Sequence, residues 1–196
     1  QKLDAVVKRI EAAYRAARTM QADFVSDSLG GPQKNKGKVK VRKPNLFRLE
    51  MSGPQSMLAV SDGKTAFLYM KAQNLYMKMP AIGADKLFGP AFMVTGLGIG
   101  AFFDAAFFAK LKEHSVKWSY LGAVMVEGMS CDVLSMKRPS GDGEGKLYVL
   151  PNGIIRRTSG VTKRREGTDR RQATLRNIVL NKPIDPAAFR FTPPGG

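Results

Sequence analysis

Turn chemistry interrupts residues 20–79 so often that no helix of useful length can form there. The stretches 22–28, 36–43, 46–52, 57–61, 65–70 and 75–79 are separated by Gly30-Gly31-Pro32, Pro44-Asn45, Gly53-Pro54, Asp62-Gly63 and Gln73-Asn74. Asp-Gly supplies the positive φ of a tight hairpin, and Gly-Pro cannot continue a ladder. Within the stretches apolar and polar residues alternate. Val39 and Val41 are set against Lys38, Lys40 and Arg42, and Phe47, Leu49 and Met51 against Arg48 and Glu50. A period of two puts the apolar residues on one face of each strand. Pro44 cannot donate to a ladder and marks a bend between two of the strands. Six short strands with such short links predict an antiparallel meander, and a meander that resumes later in the chain predicts a barrel or a strongly curved sheet.

It does resume. Strands are expected at 116–120, 123–126, 131–137, 145–150, 154–158 and 170–180, divided by Leu121-Gly122, Glu127-Gly128, a loop at 139–143, Pro151-Asn152-Gly153 and a loop at 160–167. A helix precedes the first meander, because Leu3, Val6, Val7, Ile10, Tyr14 and Ala17 recur at three- and four-residue spacing against a charged opposite face. The two meanders are joined by a segment of another kind. Residues 87–108 carry almost no charge but are broken by Gly89, Pro90, Gly96, Gly98 and Gly100. The length invites a transmembrane reading; Asp104 and the helix breakers favour short apolar helices, about 85–88 with 91–94 and then 99–112, lying over something apolar. The glycines do not fit a phosphate-binding spacing.

Composition narrows the function. At 196 residues the chain is read as one domain, 1–196, large enough to bury a core without disulfides. One cysteine, Cys131, and one histidine, His114, leave no metal-ligand cluster and no nucleophile–base pair, and no catalytic motif occurs, so the expectation is a protein that is not an enzyme and needs no cofactor or metal. Thirty-two Lys and Arg against 16 Asp and Glu give a net charge of +16, which favours anionic partners. Arg156, Arg157, Arg164, Arg165, Arg170 and Arg171 concentrate in the last third as a candidate contact for an anionic membrane surface. Nucleic acid is the less favoured partner, since no aromatic residue is interleaved over 154–180. Ten methionines and eleven phenylalanines suit either an ordinary core or a cavity that accepts flexible chains. No leader pattern precedes the amphipathic start, which leaves a cytosolic protein or one whose leader is absent from this sequence.

Three motifs carry a resemblance. Arg42-Lys43-Pro44-Asn45-Leu46-Phe47-Arg48, then Ser61-Asp62-Gly63-Lys64-Thr65 leading to Tyr69, and the C-terminal Ala188-Phe189-Arg190-Phe191-Thr192-Pro193-Pro194 occur in one order that resembles the outer-membrane lipoprotein carrier family, LolA. The resemblance covers essentially the whole chain. It implies an α+β fold: an unclosed antiparallel β-barrel of about eleven strands, with an N-terminal helix and a short-helix lid over an apolar cavity. It also implies a periplasmic carrier that shields acyl chains of a lipoprotein or phospholipid, takes them from an inner-membrane ABC transporter and gives them to an outer-membrane acceptor. A lipid-sensing regulatory module of the same fold is the alternative, and a basic nucleic-acid-binding module a more distant one. By the resemblance Phe47, Leu49, Met51, Phe67, Tyr69, Leu75, Met77 and Met79 line the cavity, and Phe92, Met93, Leu97, Ile99, Phe102 and Phe103 form the lid. Where the family carries an arginine before the motif proline as a lid latch, this chain has Lys43, with Arg42 one residue earlier; Lys cannot reproduce the planar guanidinium fork.

Overall fold

A computed structural model of the protein describes residues 1–28, 34–54, 56–81, 102–103, 117–137, 140–164 and 166–192. Among the described residues the helix α1 (Lys2–Ala16) is followed by eleven strands: β1 (Thr19–Ser28), β2 (Lys34–Arg42), β3 (Leu46–Ser52), β4 (Met57–Asp62), β5 (Thr65–Met70), β6 (Leu75–Pro80), β7 (Lys117–Val126), β8 (Met129–Lys137), β9 (Gly143–Val149), β10 (Ile155–Arg164) and β11 (Gly167–Leu180). They form a single antiparallel sheet in the order β6-β5-β4-β3-β2-β1-β11-β10-β9-β8-β7. The chain's first and last strands therefore pair in the middle, Met20 with Leu180 and Phe24 with Leu175, and join two meanders. Among the described residues the sheet is not closed, and its two edges are β6 and β7.

The turns form where the sequence supplies their chemistry. Gly63 takes φ +89°, while the Asp62 carboxylate accepts from the backbone N–H groups of Lys64 and Thr65, both at 2.8 Å. Those bonds hold the Asp62 carboxyl below its usual range, the one from Thr65 most. Glu127 and Gly128, at φ +47° and +78°, make the two-residue link between β7 and β8.

Two expectations need correcting. The strands expected at 116–120 and 123–126 are one strand, β7, whose register against β8 shifts between Tyr120 and Ala123. Gly122, at φ +100°, is the bulge that the sequence presents as a turn. The expected loop at 160–167 is instead the far end of a hairpin in which Lys163 pairs with Thr168 and Arg164 with Gly167.

Helix α1 buries Val6, Val7, Ile10 and Tyr14 against one face of the sheet, in a cluster with Met20, Val41, Phe47, Leu134, Val149, Ile155 and Leu175. The Tyr14 hydroxyl accepts from the Ile155 N–H at 3.3 Å, and burial pushes its pKa up to about 12. Nearer the helix N-terminus, Arg9 forms an ion pair with Asp132, and the Tyr120 hydroxyl donates to the same carboxylate at 2.9 Å. Burial alone would raise the Asp132 pKa, but these two donors bring it below the usual range.

The opposite face of the first meander is covered by the C-terminal segment. Beyond β11, Asp185 caps a short 3-10 turn, Pro186–Phe189, which packs on β3 and β4. Arg48 donates to the carbonyls of Ala188 and Arg190, both at 3.3 Å. Phe191 then lies against Phe67, Tyr69 and Tyr76, with ring centroids at 5.0, 5.9 and 6.3 Å. Phe191→Ala is expected to cost about 2 kcal/mol of stability, read as an earlier urea midpoint. Hydrogen exchange should rise in β5 and β6 and not in β8 or β9; a uniform rise would contradict a local strap.

Candidate functional site

The ladder register of β2 to β6 assigns every side chain in the first meander to a face. Three rows share the face that α1 covers. The first runs Gly37, Met51, Met57, Met70, Leu75; the second Val39, Leu49, Ala59, Leu68, Met77; the third Val41, Phe47, Ser61, Ala66, Met79. The rows change character from the middle of the sheet to its edge. Val39, Val41, Phe47 and Leu49 are buried in the cluster with α1. Met51, Met57, Leu68 and Met79 are partly buried against it. On the edge strand Leu75 is 50% and Met77 43% exposed. An apolar face thus runs from closed core to open edge, and its outer half is built largely of methionine, a side chain that repacks at low cost.

Gly37 is required by this arrangement. A Cβ there would lie 2.7 Å from the Phe24 ring and 1.8 Å from the Glu50 carbonyl oxygen. Phe24 is its cross-strand neighbour, so an aromatic ring occupies the space above the glycine.

The register separates residues that the sequence grouped together. Phe47, Leu49, Met51, Leu75, Met77 and Met79 share the helix-covered face. Phe67 and Tyr69 do not: they pair with Val60 and Leu58 on the opposite face, where Phe191 covers them. The error has a simple cause, since both faces of β5 are apolar and alternation alone does not say which one points inward. Met57 and Leu68 belong to the face and were not expected there, although their positions in alternation with Ala59 and Ala66 carried the signal.

Of the expected lid residues, Phe92, Met93, Leu97 and Ile99 lie outside the described residues. Phe102 is buried, edge-on to Tyr14 with centroids 6.4 Å apart and to Phe103 at 5.3 Å. Lys43 reaches the same place. Its Nζ donates to the carbonyl of Tyr14 at 2.5 Å and of Arg15 at 3.3 Å, and lies 5.1 Å from the Phe102 ring centroid. Burial first, then the nearby charge of Arg18, lowers the Lys43 pKa. Arg42 is exposed at the end of β2.

The expected basic contact residues take different positions. Arg156 is buried and donates to Glu127 at 2.8 Å. Arg157 donates to the Thr174 hydroxyl at 2.8 Å, with its guanidinium 6.0 Å from the Tyr148 ring centroid. Arg171 pairs with Asp169 at 3.0 Å. Arg170 is exposed, Arg164 ends β10, and Arg165 lies outside the described residues. Glu127 also takes two donors from Arg176, whose hydrogen bonds are the main cause of its lowered carboxyl pKa. Among the described residues no group of acidic, cysteine and histidine side chains could hold a metal ion, and no helix is long and apolar enough to cross a membrane.

Comparison with known proteins adds to this geometry. A family model described as "Predicted periplasmic protein (DUF2092)" matches residues 3–196. The chain belongs to this DUF2092 family. As a DUF2092 member it is a periplasmic protein. It is 27% identical over 173 residues to an outer-membrane lipoprotein carrier protein of Edwardsiella ictaluri, across 88% of this chain and 74% of that one. It is also 27% identical over 202 residues to an uncharacterized protein of Methanocaldococcus jannaschii, across 98% of this chain; it spans about half of that relative's length, 52%. The fold is similar to that of an uncharacterized conserved protein from Thermus thermophilus, with a TM-score of 0.62 at 14% identity, covering 98% of this chain and 95% of that one.

Proposed function

We propose that this DUF2092 protein is a lipid or lipoprotein carrier that shelters acyl chains against the helix-covered face of β2 to β6. The observation that carries the reading is the continuous apolar face that ends in exposed Leu75 and Met77 at the open edge; similarity to proteins named as outer-membrane lipoprotein carriers supports it. The physical need is clear. Each methylene left in water costs about 0.8 kcal/mol, so an acyl chain crosses an aqueous compartment only under cover. Methionine rows let one surface accept chains of different length and unsaturation. Cargo would come from an inner-membrane ABC transporter and pass to an outer-membrane acceptor, the apolar acceptor being needed to take up the chains as the carrier releases them. Native mass spectrometry of protein incubated with a diacylated peptide tests the reading: a one-to-one adduct is expected, displaced by free phospholipid if that is also cargo. Failure to take up any acylated probe would refute it.

Lys43 is the latch in this reading. Three ammonium donors can serve two carbonyls at the end of α1 while the charge sits over the Phe102 ring, a different solution from a planar arginine fork. Lys43→Met keeps the length and removes the charge. It is expected to cost about 2 kcal/mol in stability and to raise the dissociation rate of an acyl probe about tenfold. A stability loss with unchanged probe kinetics would make Lys43 structural only.

A further inference from the structure

The other edge of the sheet carries a second apolar surface that the carrier reading does not use. On β7 and the start of β8, Leu121 is 52%, Val124 43%, Met125 67% and Met129 40% exposed. Val124 and Met125 are adjacent in a strand and so point to opposite faces. A flat protein partner would cover one face of such a ribbon and leave the other in water; a medium that surrounds the ribbon covers both. Behind this end lies concentrated positive charge. Within 4 Å of the single Glu127 carboxylate are the guanidinium groups of Arg156 at 2.8 Å, Arg157 at 3.8 Å and Arg176 at 2.5 Å. Three cations on one anion leave the turn net positive on a chain that is already +16. Lys2, with its Nζ 5.8 Å from the Tyr120 ring centroid, adds another cation along the same strand.

We infer that the β7–β8 hairpin end is a membrane-docking element: Leu121, Val124, Met125 and Met129 insert at the surface of an anionic bilayer, and the half-exposed Arg176 beside Glu127 meets its phosphate headgroups, with the more buried Arg156 and Arg157 adding positive potential behind it. Apolar insertion and charge attraction together give reversible binding to a charged interface, where either alone is weak. The pair Glu127–Arg176 has a structural part in this. It pairs the acid at the turn with a guanidinium and so offsets its repulsion of the lipid phosphates. The inference does not depend on what the protein carries.

Flotation of the full chain with phosphatidylglycerol-containing vesicles and with pure phosphatidylcholine vesicles tests it. Binding is expected to the anionic vesicles, to fall with added salt, and to drop at least about tenfold in Met125→Glu. Met125 is exposed, so the variant should keep its circular dichroism spectrum and melting temperature. A second variant, Met125→Trp in a Trp118→Phe background that removes the one native tryptophan, is expected to show a blue-shifted emission that brominated lipids quench. Equal binding of wild type and Met125→Glu, or an unquenched tryptophan on bound protein, would overturn the inference. So would a finding that Met125→Glu dissolves a dimer of this chain and leaves vesicle binding intact. Acyl-probe uptake measured without vesicles judges the carrier reading separately, and Met125→Glu should leave it unchanged.

Discussion

Gly153→Ala is expected to destabilise the protein by about 3 kcal/mol, which for a chain of this length lowers the melting temperature by about 6–12 °C. Two costs add. Gly153 sits at φ +86°, where an L side chain is strained. A Cβ there would also come within 2.4 Å of the Arg9 carbonyl oxygen and 2.9 Å of Ala13 Cβ. The turn between β9 and β10 is therefore the bed on which α1 rests. Moving the helix off that bed would also disturb the Tyr14 hydroxyl at Ile155 and the Arg9–Asp132 ion pair. A thermal melt followed by circular dichroism decides the point, and a midpoint unchanged from wild type would mean that α1 does not depend on this contact.

The second large effect falls on binding and uses the edge strand β6 as its own control. Met77→Asp should weaken acyl-probe affinity by about a hundredfold, because an acyl chain would have to cover a carboxylate that has no partner there. Tyr76→Asp should leave the affinity near that of wild type. The two residues are neighbours with nearly equal exposure, 43% and 44%, but Met77 shares the face of Leu49 and Leu68, whereas Tyr76 faces the Phe191 side. Fluorescence titration with a labelled fatty-acyl peptide separates them. Equal losses in both variants would mean that strand edge, and not face, governs binding.

Much of the architecture was legible because β strands announce themselves through their interruptions. Asp62-Gly63, Gly53-Pro54 and Glu127-Gly128 each mark a link between strands, and β3 and β5 begin and end where the alternation does. The start of β1, Thr19 to Gln21, was missed although buried Met20 continues the alternation of Ala22 and Phe24 and the segment pairs with Lys40, Val41 and Arg42. Leu121-Gly122 misled for the opposite reason: a positive-φ glycine serves a bulge as well as a turn, and only pairing with β8 distinguishes them. The 160–167 region looked like a loop because its charges and glycines suit solvent, yet a hairpin arm with both faces wet needs no apolar residues.

The site was legible to the same degree. That Phe47, Leu49 and Met51 share a face follows from alternation. Which face of β5 joins them does not, because Ala66 and Leu68 compete with Phe67 and Tyr69, and the cover that decides the matter, Phe191, lies far along the chain. Glu127 drew notice only as a turn residue. Its role as the common partner of Arg156 and Arg176 depends on strands that come together only in the folded sheet.

The central claim is that acyl chains lie on the helix-covered face of the first meander. Photo-crosslinking side chains placed singly at positions 75 to 79 of β6, irradiated with a radiolabelled diacyl lipid bound, test it most directly. The account predicts labelling that alternates, strong at 75, 77 and 79 and weak at 76 and 78. Labelling confined to 76 and 78, or uniform along the strand, would contradict it.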